Sequence, residues 1–403
     1  MSRIRSAPVL VGVLAAAAMA PVYWHLTSGA AATIRGQNDF PGSLTEADWA
    51  SVVPFRPPAP HFLLPLLTRI LGAGIGLRAG MVVVCVAAAG LTFGGIAAWS
   101  RRPATTGSSA APRRFTPGAL VAAGLLLLET PALLIPFTPP ESTPWWGRSV
   151  VVDLHHWASP TNMVLLACFV PLAALVVRAT EDLRAGSAGA PHWLPLAGFA
   201  VVASLAKPSL TLPSLAAVPA FVLWRCGLDR RTVRLAAAYW LPAVTVTLWQ
   251  IWFLRSGQTP FDSAGGWRLR PFWVFRQDGM DRPAMYLLLL LVPLGLWAGG
   301  RRVLTDPLVR LLGLVWIAAM FPTLLLQETG PQAGDANFTV GSQLSYFLLT
   351  AAVLVRLADR EPHGRPRSAR ELAPQVALAV FLVFALLAGT WAYLDAIGAV
   401  HRA

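Results

Sequence analysis

Long apolar runs alternate with short polar segments along almost the whole chain. Eleven of these runs approach the roughly 20 residues that an α-helix needs to cross a hydrocarbon core about 30 Å thick. The segments between them are charged or rich in Pro and Gly, and none is long enough for a large soluble domain. The pattern predicts an all-α polytopic transmembrane bundle of about 11 helices, near residues 7–28, 79–99, 117–136, 159–178, 192–206, 209–224, 235–254, 284–300, 307–326, 342–357 and 374–394.

One further apolar stretch, from His61 to Leu77, does not fit this series. It contains Pro65, Arg69 and several glycines, and a crossing here would move the four arginines of residues 101–114 to the outer side. We therefore predict a juxtamembrane helix in the first external loop that lies on the outer leaflet. The first run resembles a signal peptide, but its apolar stretch continues to Leu26, and we predict a retained span.

Composition and charge agree with a membrane protein and give it an orientation. The chain has 403 residues, of which 55% are hydrophobic and 13% charged, and its mean hydropathy is +0.57. With a cytoplasmic N-terminus, the inner ends and loops carry 20 of the 32 Lys and Arg residues but only seven of the 19 acids. The positive-inside rule thus explains the net charge of +13, and no nucleic acid partner is needed. We predict a multi-pass protein of the plasma (inner) membrane with an external C-terminus.

The first external loop carries an acid soon after the chain leaves the membrane, in the sequence RGQNDF. This residue, Asp39, follows the first span after about ten small and polar residues. Alone, it is equally well interpreted as a solvated loop acid. The surrounding order of elements favours a functional acid: one span, a long outer loop with an acid near its start, an interfacial helix, and a second span that enters a basic inner loop.

This arrangement resembles the GT-C superfamily of membrane glycosyltransferases, in particular its actinobacterial-type members. The resemblance covers residues 1–254, a GT-C-like module of seven spans with the external loop 29–78, and leaves 255–403 as a variable C-terminal module of four spans. It implies that Asp39 acts as general base or metal ligand while a sugar moves from a polyprenyl-phosphate carrier to an acceptor on the external face. Asn38 precedes Asp39, so the paired acids of many family members are absent here. The need for a divalent cation, Mg²⁺ or Mn²⁺, therefore stays open.

Further candidate residues for substrate binding share a position at the outer ends of predicted spans or in outer loops. They are His61, His155, His156, Asn162, Lys207, Arg268, Arg270, Glu328 and Asn337. The two adjacent histidines and Asn162 belong to the sequence VVDLHHWASPTN, which also fits an ordinary interfacial cluster. Adjacent histidines point in different directions on most backbones, which disfavours a metal pair formed by them alone.

The basic candidates have a chemical reason to contact phosphate. Lys207 is the only lysine beside 31 arginines, and it lies between two short apolar segments that predict an outward-pointing hairpin. An ammonium at membrane depth needs a partner or must snorkel, and a lipid-linked phosphate is such a partner. Arg268 and Arg270 lie among aromatic residues, where they fit either a phosphate site or an aromatic belt with snorkelling arginines.

The sequence contains no Gly-rich phosphate loop or Walker pattern, which argues against direct use of a nucleotide sugar. The predicted partners are a polyprenyl-phosphate-linked sugar, a lipid or glycan acceptor, and the membrane. Two other functions remain open: a transporter or flippase of a lipid-linked saccharide, and a polysaccharide polymerase or ligase. The three cysteines show neither a disulfide framework nor a zinc spacing.

Overall fold

A computed structural model describes the chain over residues 6–27, 63–100, 116–127, 160–186, 192–255, 267–272, 290–329, 337–359 and 369–396. Within these ranges the protein is almost entirely helical, with twelve α-helices and two short strands. The helices are α1 Ser6–Leu26, α2 Leu63–Ile75, α3 Leu77–Trp99, α4 Pro117–Gly124, α5 Pro160–Arg184, α6 Trp193–Ala206, α7 Pro208–Cys226, α8 Arg230–Arg255, α9 Leu291–Thr305, α10 Pro307–Leu325, α11 Asn337–Ala358 and α12 Ala369–Ala396. The strands are β1 Trp267–Leu269 and β2 Leu326–Glu328.

Each of the eleven predicted spans overlaps with one of these helices, and the all-α membrane class is confirmed. In the described part of the chain, six helices are long and apolar enough to cross a membrane. They are Ala7–Leu26, Leu77–Trp99, Pro160–Arg184, Pro208–Cys226, Pro307–Leu325 and Val340–Ala358. The full number of crossings, eleven, stays a prediction.

Neighbouring helices in the first part of the chain run in opposite directions. Arg78, in the first turn of α3, donates a hydrogen bond to the carbonyl of Trp24 in the last turn of α1, at 2.8 Å. α5 and α7, which are separated by one helix in the chain, run in the same direction, because Arg225 in the last turn of α7 contacts Glu181 in the last turn of α5. Because consecutive helices alternate, their ends gather on two faces of the bundle.

The later helices follow the same alternation. Gln250, near the end of α8, donates to the carbonyl of Ser204 near the end of α6, at 2.8 Å. Asp306 lies between α9 and α10, and its Oδ2 is 2.8 Å from Nε of Arg356 in the last turn of α11. We call the face with the ends of α1, α6, α8 and α10 the site face, and the opposite one the arginine face. Among the described helix ends, those predicted to be external therefore lie on the site face and those predicted to be internal lie on the arginine face.

The stretch from His61 to Leu77 forms a separate helix, α2, followed by a break at Gly76. The glycine has φ +88°, a left-handed conformation that disfavours other residues. With 13 residues, α2 is about 20 Å long, shorter than a hydrocarbon core. It packs through Thr68 and Gly72 against Gly80 of α3, while apolar side chains such as Ile70 remain exposed. Its position relative to the bilayer stays a prediction.

Several helices begin or end elsewhere than the apolar runs suggest. α8 begins at Arg230 rather than near residue 235, because the carboxylate of Asp229 accepts the Thr232 N–H at 2.6 Å and caps the helix. The hydrogen bonds that Asp229 accepts from Thr232 and from the backbone of Arg231 lower the pKa of its carboxyl group. α9 begins at Leu291 and continues to Thr305 across a non-helical Gly300. Charged first and last turns extend helices beyond their apolar segments, since they lie outside the hydrocarbon.

The buried core runs across the predicted module boundary at residues 254 and 255. α10 and α11 pack against α7, and α11 also contacts α3 and α4. On the arginine face, the Gly118 N–H of α4 donates to Asp359 Oδ1 at 3.0 Å, and Arg356 Nη1 donates to the Trp99 carbonyl at 2.7 Å. Both segments therefore contribute to one continuous packing arrangement, and the boundary stays a prediction from the sequence.

Candidate functional site

Lys207 occupies a break between two helices on the site face. α6 ends at Ala206, and α7 begins at Pro208, which occupies its first helical position. Lys207 has an extended backbone, with φ −169° and ψ 135°. A proline disfavours the helical conformation in the residue before it, so the pair Lys207-Pro208 explains the break locally. The break places the Cα atom of Lys207 between the ends of two helices and not on the side of a continuous helix.

The Lys207 ammonium contacts the first turn of α5. Its Nζ donates to Oδ1 of Asn162 at 2.8 Å and lies 3.4 Å from Oγ1 of Thr161. α5 begins at Pro160, so both polar side chains are held at the end of that helix. These two side chains orient the ammonium at the start of α5.

Three helix N-termini meet around this residue. α5 and α7 both begin next to the Lys207 contact, and α11 reaches the start of α7. A Cβ added to Gly341, in the second turn of α11, would overlap with the carbonyl oxygen of Ser209. Only glycine allows this close approach. The positive ends of three helix dipoles add to the charge of the lysine, and such an arrangement attracts an anion.

The contact between α7 and α11 makes a prediction about stability. We expect Gly341→Ala to lower the free energy of unfolding by about 1–3 kcal/mol, because the methyl group must push the two helices apart. Gly313→Ala in α10 is the matched control, since a Cβ there meets nothing within 4 Å. Thermal unfolding in detergent measures both variants. Equal stability of the two variants would contradict the packing.

Two arginines lie on a short antiparallel β-pair at the same face. Residues 267–269 pair with residues 326–328, and Arg268 lies opposite Gln327. Arg268 Nε and Arg270 Nη1 donate to the same Gln327 Oε1, at 2.7 and 3.2 Å. The buried amide holds both guanidinium groups on one face of the strand. Neither arginine makes an ion pair within the described residues.

The structure thus brings together two pairs of the predicted site residues. Asn162 meets Lys207, and Arg268 meets Arg270 through Gln327. Neither Thr161 nor Gln327 was among the predicted residues. Thr161 is the sequence neighbour of Asn162, and Gln327 is the sequence neighbour of Glu328. This adjacency was the only feature of the sequence that could have identified them.

The remaining predicted site residues are described in part or fall outside the described ranges. Glu328 belongs to β2 and Asn337 is the first residue of α11, while their side chains are not among the described ones. Asp39, His61, His155 and His156 lie outside the described residues. Their roles stay predictions.

No metal cluster is formed by the described part of the chain, where no three His, Cys, Asp or Glu residues are placed to hold an ion. The cationic side chains of the site face suit an anion instead. The resemblance assigned a metal ligand only at Asp39, which lies outside these residues. The question of a divalent cation therefore rests on the first external loop.

These elements define a multi-pass α-helical membrane protein that has basic side chains at the helix ends of one face. The long apolar helices identify the chain as a membrane protein. The break at Lys207 and the arginine-bearing β-pair form the candidate functional site. No protein-family model, curated protein or solved structure matches the chain.

Proposed function

We propose that the protein is an integral membrane glycosyltransferase of GT-C type. It transfers a sugar from a polyprenyl-phosphate donor to a lipid or glycan acceptor on the external face of the plasma membrane. The observation that carries the proposal is the position of the Lys207 ammonium, which contacts Asn162 at a helix break where three helix N-termini converge. A phosphate at the headgroup level is the anion that a membrane offers at such a place.

The positive charge of the site face supports a phosphate ligand in two ways. A phosphate oxygen that replaces or joins Asn162 Oδ1 gains a charge-assisted hydrogen bond from Lys207, which is about twice as strong as a neutral one. The guanidinium groups of Arg268 and Arg270 supply planar N–H donors that match phosphate oxygens. In this proposal Asn162 positions the lysine and is replaced in part by the donor phosphate.

The charge distribution supports an external site. The arginine face carries the basic inner ends of the spans, and the positive-inside rule assigns that face to the cytoplasm. The site face then lies outside, where no nucleotide donor is present. A donor linked to a lipid carries its own anchor into the membrane and meets this requirement.

The proposed transfer balances without a further reactant. The carboxylate of Asp39 takes the proton of an acceptor hydroxyl while that oxygen attacks the anomeric carbon. The bond from the anomeric carbon to the phosphate oxygen breaks, and both of its electrons leave with the polyprenyl phosphate. Lys207, with the arginines, stabilises the negative charge that this leaving group gains.

Reconstituted proteoliposomes test the proposal. With a panel of polyprenyl-phosphate-linked hexoses and pentoses and a glycan acceptor, we expect transfer by the native protein and about 10- to 100-fold slower transfer by Lys207→Gln, which lacks the charge. Lys207→Arg should retain part of the activity because the charge remains. Arg178→Gln, on the arginine face, is the control for general charge effects. Equal turnover of Lys207→Gln and the native protein would refute the role of Lys207.

A carrier of a lipid-linked saccharide is the second candidate, because the break between α6 and α7 also suits a transporter. In transporters, broken helices direct half-helix N-termini at an anionic substrate. The same proteoliposomes separate the two functions. A carrier moves a lipid-linked saccharide between leaflets and leaves its glycosidic bond intact, whereas a transferase releases the free polyprenyl phosphate.

A further inference from the structure

An exposed apolar stripe runs along the outward surface of α7 toward the arginine face. Leu212, Ala216, Ala220 and Trp224 follow one another at four-residue spacing and are all exposed. Leu212 is 42% and Trp224 60% exposed, with two alanines between them. In a membrane span such a face contacts lipid, and the alanines leave room for an acyl chain below the indole.

A neighbouring helix supplies a second apolar stripe. α10 packs against α7, and its residues Arg310, Ile317 and Phe321 lie within about 40° of one another around the helix axis. Ile317 is 53% and Phe321 62% exposed. Arg310 therefore stands at the arginine-face end of a stripe that is otherwise apolar.

The two stripes meet in a contact between Arg310 and Trp224. The guanidinium carbon of Arg310 lies 5.2 Å from the centre of the Trp224 ring, within the range of a cation–π interaction. Arg310 Nε donates to the carbonyl of Leu304 at 2.9 Å, which fixes the plane of the guanidinium group. The terminal nitrogens of Arg310 make no hydrogen bond or ion pair with the residues that the structure describes.

The acids on neighbouring elements have other partners. Asp306 caps α10 through the Leu308 and Val309 N–H groups and pairs with Arg356. Asp229 caps α8. Exposed arginines at the start of α8, which are Arg230, Arg231 and Arg234, add positive charge to the same face of the bundle. The surface is therefore complementary to an anion.

We propose that this surface binds one anionic phospholipid of the cytoplasmic leaflet. The terminal nitrogens of Arg310 bind the phosphate, the Trp224 indole supports the glycerol region, and an acyl chain lies along the exposed stripe over Ala216 and Ala220. The positive-inside rule alone explains why an arginine lies at this end of α10. It does not explain why the Arg310 guanidinium is oriented by the Leu304 carbonyl and stacked on the lipid-facing indole of Trp224. The site is separate from Lys207 and does not depend on the proposed transferase activity.

Native mass spectrometry of the full chain in detergent tests the proposal. We expect the native protein to retain phosphatidylglycerol in preference to phosphatidylcholine of the same acyl chains. Arg310→Gln should raise the apparent dissociation constant for phosphatidylglycerol about fivefold, the effect of one basic residue at an anionic surface. Trp224→Leu should change it in the same direction, and because Trp224 is 60% exposed, this variant removes little buried contact and keeps the fold.

Arg178→Gln is the matched control on the same face, since its side chain is 77% exposed and lacks an aromatic neighbour among the described contacts. We expect this variant to bind phosphatidylglycerol as the native protein does. Equal losses in Arg310→Gln and Arg178→Gln would show only a general charge effect and overturn the proposal. So would equal binding of the two lipids by the native protein.

Discussion

Asp39→Asn is expected to lower glycosyl transfer by about 10²- to 10⁴-fold, the contribution of a positioned general base. The amide has the size of the carboxylate but cannot take the proton of the acceptor hydroxyl. The rate of sugar transfer in proteoliposomes measures the loss, and binding of the lipid-linked donor should remain close to that of the native protein. A large loss of transfer rate with unchanged donor binding indicates a catalytic role for Asp39, whereas a structural role would also weaken donor binding.

The same loop provides the controls for this experiment. Glu46 and Asp48 are acids a few residues further along the first external loop. Glu46→Gln and Asp48→Asn should leave transfer within a factor of about three if the base is Asp39 alone, since neither needs to touch the acceptor. Native-like turnover by Asp39→Asn, or equal losses in all three variants, would contradict the assignment.

A titration with a chelator separates the two roles that the resemblance allows for Asp39. If the carboxylate holds a divalent cation, removal of metal should abolish transfer in the native protein, and Mg²⁺ or Mn²⁺ should restore it. If it acts only as a base, the chelator should have no effect. Both outcomes agree with a loss of transfer in Asp39→Asn. The titration therefore distinguishes a metal ligand from a general base and does not test whether Asp39 is the residue involved.

The largest effect on stability is expected at the arginine face, where Arg356 joins three segments. Its Nε lies 2.8 Å from Asp306, and its Nη1 donates to the Trp99 carbonyl at 2.7 Å. The two charged side chains are only 22% and 18% exposed. Arg356→Gln leaves the Asp306 carboxylate largely buried without its cation, and we expect a loss of about 2–4 kcal/mol in the free energy of unfolding.

Unfolding in a detergent with increasing denaturant measures this loss. Arg184→Gln is the matched control, because Arg184 forms a 3.2 Å pair with Glu181 in which both side chains are about 40% exposed. An exposed pair of this kind contributes about 0–1 kcal/mol. The double variant Arg356→Gln with Asp306→Asn should recover part of the loss, since it removes both charges. A loss in Arg356→Gln no larger than that in Arg184→Gln would contradict the contact.

Residues near Lys207 illustrate how much of the site could be predicted from the sequence. Its position between two short apolar segments predicts an outward-pointing hairpin, and the structure ends α6 at Ala206 and begins α7 at Pro208, on either side of the lysine. The contact with Asn162 could not be predicted as such, because 45 residues separate the two side chains. Sequence analysis selected both residues as contacts to substrate, whereas the structure brings them into contact with each other.

The arginine-bearing β-pair shows the same limit more strongly. Arg268 and Gln327 are 59 residues apart, and three-residue strands have too few alternating positions for a sequence pattern to reveal them. The close approach of Gly341 to Ser209 could not be predicted from the sequence either, because a glycine can occur in an apolar run for many different structural reasons. Such contacts arise only when separate helices pack.

The amino-acid sequence by itself determined the helical class, the apolar runs and the separation of basic and site-bearing ends onto opposite faces. Backbone groups inside a bilayer must satisfy their hydrogen bonds within one helix, so apolar length alone specifies these elements locally. Only the tertiary structure decided which helix ends meet, which side chains contact Lys207 and Arg268, and where Arg310 stacks on Trp224. Those contacts depend on how the side chains of distant segments fit together, and local pattern carries no information about that fit.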